Sequence, residues 1–250
     1  MKLSVIFACA AATVTLTACN KGAEQSNAPA ANDTVKITQA NPPPGGTWSD
    51  VVNATSAGYL MGNPNAKVKL VEFGSLTCPH CREFDEKGVP VLISRYVKTG
   101  RVSWEFRNYV RDGFDIAASL VARCNGANGF FPLTRALYKD QPKWVGKIQS
   151  ASEDQLNKMQ DLPPNRQFVA LAGVAGLPQW AAARGLAPAK AKECLTNTHS
   201  VDQLIQMASD ATTQYPDFQG TPTFVINGTM LDKTATWDAL EPQLKAALGG

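Results

Sequence analysis

The sequence predicts an α/β chain in which a helical block separates two β-containing segments. Three observations carry this. KVKLVEFG (67–74) and RVSWEFRNYV (101–110) are apolar and β-prone. From about 112 to 200 strand signals vanish and apolar residues recur at helical spacing. After 200 a strand–turn texture returns in FQGTPTFVING (218–228).

Residues 1–18 are expected to lie outside the fold. Lys2 supplies a positive start, and LSVIFACAAATVTL is an apolar stretch too short and wrongly flanked for a spanning helix. It ends in LTAC (16–19), which resembles a bacterial lipobox with Cys19 as the lipid acceptor. An ordinary secretory signal is the other reading. Residues 19–50 are rich in Asn, Ala, Pro, Gly and Ser and poor in large apolar residues, so they are expected to be a tether spanning about 30 Å. Asn20 after the cysteine, rather than Asp, points to the outer membrane in enteric bacteria, a rule that does not transfer to all lineages. Whether the inner or the outer membrane holds the anchor therefore stays open.

Residues 51–111 form the expected first half. GYLMG is expected as an edge strand. Val68, Leu70 and Glu72 share one face of a buried strand. PHCREFDEKGVPVLISRYVKTG (79–100) is expected as a helix broken near Gly88 and Pro90 and ended at Gly100. Val102, Trp104 and Phe106 then alternate with Ser103, Glu105 and Arg107, giving a second strand. Residues 112–200 form an expected insertion of four to six short helices. Ile116, Leu120 and Cys124 lie on one helical face, and SEDQ (152–155) is a capping-box pattern. Residues 201–250 form the second half. Its first helix turns Leu204, Ile205 and Ala208 inward. The strand TFVI, an Asn227–Gly228 hairpin turn and the edge strand TMLD follow. A last helix buries Trp237, Leu240, Leu244 and Leu248.

The 250 residues are 44% hydrophobic, enough for one core with an inserted lobe. Net charge is +3 with Lys and Arg scattered, so nucleic acid is not an expected partner. Of six cysteines, Cys9 leaves with the signal and Cys19 would carry lipid. Cys78, Cys81, Cys124 and Cys194 remain, in an oxidising compartment. They permit three pairings, of which one keeps the local Cys78–Cys81 pair. Cys124 and Cys194 are then a structural disulfide, two buried thiols or a second redox-active pair, the last disfavoured because neither sits in a CxxC or after a strand. A zinc site would need two further ligands, and the chain has only His80 and His199. Neither metal nor cofactor is expected.

VEFGSLTCPHC (71–81), GTPTFVING (220–228) and the helical insertion together resemble the thioredoxin superfamily, and within it the DsbA-like thiol–disulfide oxidoreductases, over residues 55–250. The resemblance implies a thioredoxin fold with a helical domain inserted between its two halves. It makes Cys78 the exchanging thiol, placed where a helix N-terminus favours a thiolate. Pro79 suits the first helical position, His80 tunes the sulfur, and Cys81 resolves the mixed disulfide. Pro222 is implied to be cis over the cysteines, with Thr221 pairing with an extended substrate. Glu72 is implied as a proton relay to the buried cysteine; an outward-facing or salt-bridged charge is the alternative.

The resemblance further implies a monomer acting on unfolded or reduced exported proteins at the periplasmic side of a bacterial membrane. A membrane redox partner, DsbB-like or DsbD-like, would complete the cycle. CPHC favours disulfide donation. Thr before the proline, where many DsbA-type enzymes carry Val, favours isomerase or reductase character. A non-catalytic tethered chaperone is the rival from another class.

Overall fold

The computed structural model describes Pro42 and residues 44–249. The expected signal segment and Cys19 lie outside the described residues. The fold reaches back into the stretch expected as tether. Thr47 caps a short 3-10 turn, Trp48–Asp50, whose Trp48 ring lies over Gly100.

Six strands form one mixed sheet. They are β1 Val52–Ala54, β2 Tyr59–Met61, β3 Val68–Gly74, β4 Val102–Asn108, β5 Thr223–Ile226 and β6 Thr229–Met230. The spatial order is β1-β2-β4-β3-β5-β6. Only β3 and β4 run parallel; the other neighbours are antiparallel. GYLMG is thus not an edge, because β1 covers β2. The parallel pair is central and buried on both faces, as a crossover unit requires. Its crossover is α1 Pro79–Lys87, the short α2 Val89–Val91 and a π-helical turn Leu92–Val97. The expected break falls at Gly88, whose Cβ would meet the Phe84 ring at 2.8 Å.

Seven helices, not four to six, fill the insertion: α3 Gly113–Arg123, α4 Gly126–Lys139, α5 Gln141–Gln149, α6 Glu153–Gln160, α7 Pro164–Ala175, α8 Leu177–Ala182 and α9 Pro188–Thr196. Prolines sit in the first turn of α5, α7, α8 and α9, where no N–H donor is needed. Ser152 caps α6 by accepting from Gln155 N. Then α10 Thr198–Gln214 returns the chain to the sheet, and α11 Trp237–Leu248 ends it.

The two sheet faces are covered differently. Glu72, Trp104, Phe106 and Phe224 face α1, α4 and α11, where Phe84 packs on Phe224 and Trp237, and Trp104 on Phe131. Phe73 and Val225 face Ala211 of α10, with Tyr215 and Phe218 alongside. Leu204 of α10 is fully buried, but Ile205 is 51% exposed rather than inward. Adjacent helical residues point about 100° apart, so one narrow seam cannot bury both. Asn227 (φ 50°) and Gly228 (φ 86°) form the hairpin turn, whose left-handed backbone selects Asn-Gly.

Candidate active site

The site is the junction from β3 to α1. Gly74 is the last residue of β3, and no larger residue fits there because a Cβ would lie 2.5 Å from the Phe106 ring. The chain then turns: Cys78 N donates to Ser75 O at 3.1 Å. Cys78 caps α1 with extended backbone (φ −80°, ψ 123°), and Pro79 takes the first turn. The Cys78 carbonyl accepts the first helical bond from Arg82 N at 3.2 Å. Cys78 is 2% exposed, Cys81 is fully buried one turn on, and both are free thiols.

The environments of the two sulfurs oppose each other. Cys78 falls from 9.0 to about 5, chiefly because the Cys81 thiol donates to its thiolate. Thr221 and the backbone N–H groups of Cys81 and His80 add to this, against the penalty of burial. The sequence reading assigns His80 a tuning side chain. Here that side chain is exposed, and its main-chain N–H stabilises the sulfur. Cys81 is pushed well up, first by burial and then by Cys78 and Glu72.

The Thr221–Pro222 peptide is cis. As a thiol, Cys78 donates to Thr221 O at 3.2 Å. The Thr221 hydroxyl is buried without a partner while Cys78 is a thiol. It is a donor that a thiolate can use, consistent with its lowering of the Cys78 pKa. Beside Pro222 opens a cleft of about 500 Å³ lined in part by Asp217, Met230, Leu231, Asp232 and Lys233. It mixes charged and apolar groups.

Beneath the cysteines lies Glu72, which is neither outward-facing nor salt-bridged. It is buried and accepts from Trp104 Nε1 at 3.0 Å. Burial, then the Asp85 charge, pushes its pKa well up. Asp85, on α1, is raised to about 6 by burial despite Arg135, whose Nε is 3.4 Å from its carboxylate.

The helical insertion holds the junction from the other side, which the sequence reading missed. Asp115 of α3 accepts from Leu76 N at 2.9 Å and from the Ser75 hydroxyl at 2.6 Å. Tyr138 of α4 donates to Ser75 O at 3.1 Å. Gln141 of α5 donates to Leu76 O and Cys78 O at 2.8 and 3.0 Å. The only sequence signal was Asp115, an acid on an otherwise apolar face; such a residue is buried only with partners.

The remaining residues of interest lie elsewhere. Cys124 and Cys194 form a disulfide joining the end of α3 to α9. His199 sits in the first turn of α10. Among the described residues no cluster of His, Cys, Asp or Glu could hold a metal ion.

A family model described as Thioredoxin matches residues 54–246. The "Putative protein-disulfide oxidoreductase" of Rickettsia bellii is 29% identical over 170 residues, 68% of this chain and 56% of that one. Its namesake in Rickettsia conorii is 28% identical over 196 residues, 75% and 62% of the two chains. The chain thus spans a little over half the length of these curated relatives. Among solved structures, a protein-disulfide isomerase from Novosphingobium aromaticivorans is 34% identical, with a TM-score of 0.73 over 76% of this chain and 97% of that one. Wolbachia pipientis alpha-DsbA1, 19% identical, shares the fold at a TM-score of 0.61 over 76% and 90% of the two chains.

Proposed function

The chain belongs to the thioredoxin family, and on that premise we propose that it is a DsbA-like thiol:disulfide oxidoreductase whose Cys78–Cys81 pair passes disulfides to exported proteins. The observation that carries this reading is the placement of the two sulfurs, Cys78 at the α1 N-terminus 3.2 Å from Thr221 O and Cys81 fully buried one turn on; these surroundings lower the first thiol's pKa and push the second well up. A stable Cys78 thiolate favours the reduced enzyme and makes the oxidised enzyme a strong oxidant of others.

The reaction begins when a substrate thiolate attacks Cys78 Sγ in the Cys78–Cys81 disulfide. That bond breaks, and the Cys81 sulfur leaves and takes up a proton, with Glu72 as the nearby relay. A second substrate thiolate then attacks the substrate sulfur of the mixed disulfide and expels Cys78 as a thiolate. Two electrons pass to the enzyme and the substrate gains its disulfide. Of two thiol protons released, Cys81 holds one and solvent takes the other. Pro79 opens the helix, His80 and Cys81 N–H groups hold the thiolate, and Thr221–Pro222 lies where an extended substrate would pair.

Two observations favour a second reading as isomerase or reductase: Thr221 before the proline, and the likeness to the protein-disulfide isomerase of Novosphingobium aromaticivorans. Direction then depends on whether a DsbB-like oxidase or a DsbD-like reductase serves the pair. We place the enzyme outside the cytoplasm, lipid-anchored at Cys19; Cys19→Ala should move it from the membrane to the soluble fraction.

The test mixes oxidised enzyme with a reduced, unfolded secretory protein. Stoichiometric transfer of the disulfide, lost in Cys78→Ser, supports donation. Faster reshuffling of scrambled disulfides than oxidation of reduced ones would move the assignment to the second reading. Full biological activity in Cys78→Ser, Cys81→Ser would point instead to a tethered chaperone.

A further inference from the structure

Gln141 opens α5, outside both thioredoxin-like halves, yet its side chain ends at the redox junction. It is 4% exposed, and its Nε2 donates to Leu76 O at 2.8 Å and Cys78 O at 3.0 Å. Both amide protons are therefore committed to the loop that carries the exchanging cysteine. The Cys78 carbonyl also takes Arg82 N–H, so both its lone pairs are used.

We propose that Gln141 is a positioning residue for thiol–disulfide exchange, through which the helical insertion sets the reactivity of Cys78. The proposal rests on the function argued above. Gln141 does not touch the sulfur; it acts through the Cys78 main chain.

Two consequences follow from the geometry. A carbonyl with both lone pairs bonded cannot rotate freely, so the backbone that aims Sγ at the α1 N–H groups and at Thr221 is fixed. The two donors also offset the negative end of a carbonyl dipole in the same residue as the thiolate. Both effects favour the charged sulfur. The charge-assisted bonds to a thiolate depend on donors already being in place.

Gln141 is itself held from behind. Asp140, between α4 and α5, accepts from Trp180 Nε1 at 3.1 Å, Arg184 at 2.6 Å and Lys143 at 2.9 Å. A chain of hydrogen bonds therefore runs from Trp180 of α8 through the adjacent residues Asp140 and Gln141 to Cys78. The side chains of Asp115 and Tyr138 bond to Ser75, Leu76 and Arg111, upstream or across the turn. Gln141 is the member of this clamp that reaches the reactive residue.

The test replaces Gln141 by Met in the full-length protein, keeping length and removing the donors. The Cys78 thiolate is titrated by its ultraviolet absorbance, and the pair is equilibrated with glutathione. The thiolate midpoint should rise by about one unit, with an approximately tenfold shift of the glutathione equilibrium toward the enzyme disulfide. If Gln141→Met does not fold, Gln141→Asn, which keeps a buried amide one methylene short, decides on the same two readings. Lower thermal stability with both readings within about twofold of the parent would make Gln141 a structural residue only and overturn the proposal. A parent that titrates normally but transfers no disulfide would overturn the function, leaving the thiolate midpoint to judge Gln141.

Discussion

Cys78 caps the N-terminus of α1, whereas Cys124 caps the C-terminus of α3 and Cys194 lies in the last turn of α9. The same element thus meets sulfur with opposite polarity. Free N–H groups at a helix start favour a thiolate, and free carbonyls at a helix end disfavour one. A sulfur that makes a poor thiolate is also a poor leaving group, so the second disulfide should exchange slowly. Loop length separates the pairs too. Closing four residues restrains the unfolded chain by about 2 kcal/mol, whereas a closure over 70 residues restrains it by about 4 kcal/mol. Reactivity and stabilisation are therefore divided between two pairs in one fold.

The largest effect is expected from Cys78→Ser, which removes the one favoured thiolate among the described residues. Disulfide transfer should fall to background in a stopped-time thiol assay. Retained transfer would show that Cys124–Cys194 exchanges after all.

Removing the second pair should do the reverse. Cys124→Ala, Cys194→Ala is expected to lose up to about 4 kcal/mol of stability in denaturant titration. The rate of exchange at Cys78–Cys81 should stay close to that of the parent.

Acid should weaken the first pair and leave the second untouched. The folded Cys78 pKa, about 5, lies below its ordinary value of 9.0. Its stabilisation of the reduced fold is full above the ordinary thiol range, shrinks as pH falls, and is gone below about 5. Tm of the reduced protein should therefore lose ground to that of the oxidised protein on acidification through this window. A Tm difference that does not change with pH would refute the low thiol pKa.

Glu72→Gln should have the smallest effect on stability. Burial raises the Glu72 pKa, so its ionised form is disfavoured and the parent loses stability as pH rises through that value. Gln keeps an acceptor for Trp104 and should flatten this fall in a series of Tm measurements. Release of Cys81 should slow in the same variant, because the relay is gone.

What could be read from the sequence followed the range of the signal. Strand β3, CPHC and GTPTFVING are local patterns, and each takes the expected conformation. Prolines at helix starts were visible, but counting helices needed Pro142, Pro164, Pro178 and Pro188 to be taken as starts rather than loop residues. Ile205 was misplaced because periodicity identifies an apolar face without saying how wide a seam the neighbour offers. Gln141 left no trace, since its meaning comes from carbonyls 63 and 65 residues earlier. Asp140 is similar: three donors define it, and two of them lie on α8 and in the turn after it.

The most direct test of the account is the reduction potential of Cys78–Cys81 against glutathione, in the parent and in Cys124→Ala, Cys194→Ala. A thiolate favoured as strongly as Cys78's predicts an oxidising pair, at about −180 mV or higher, and the same in both proteins. A value near about −270 mV, the range of thioredoxin, would contradict it and make the chain a reductant.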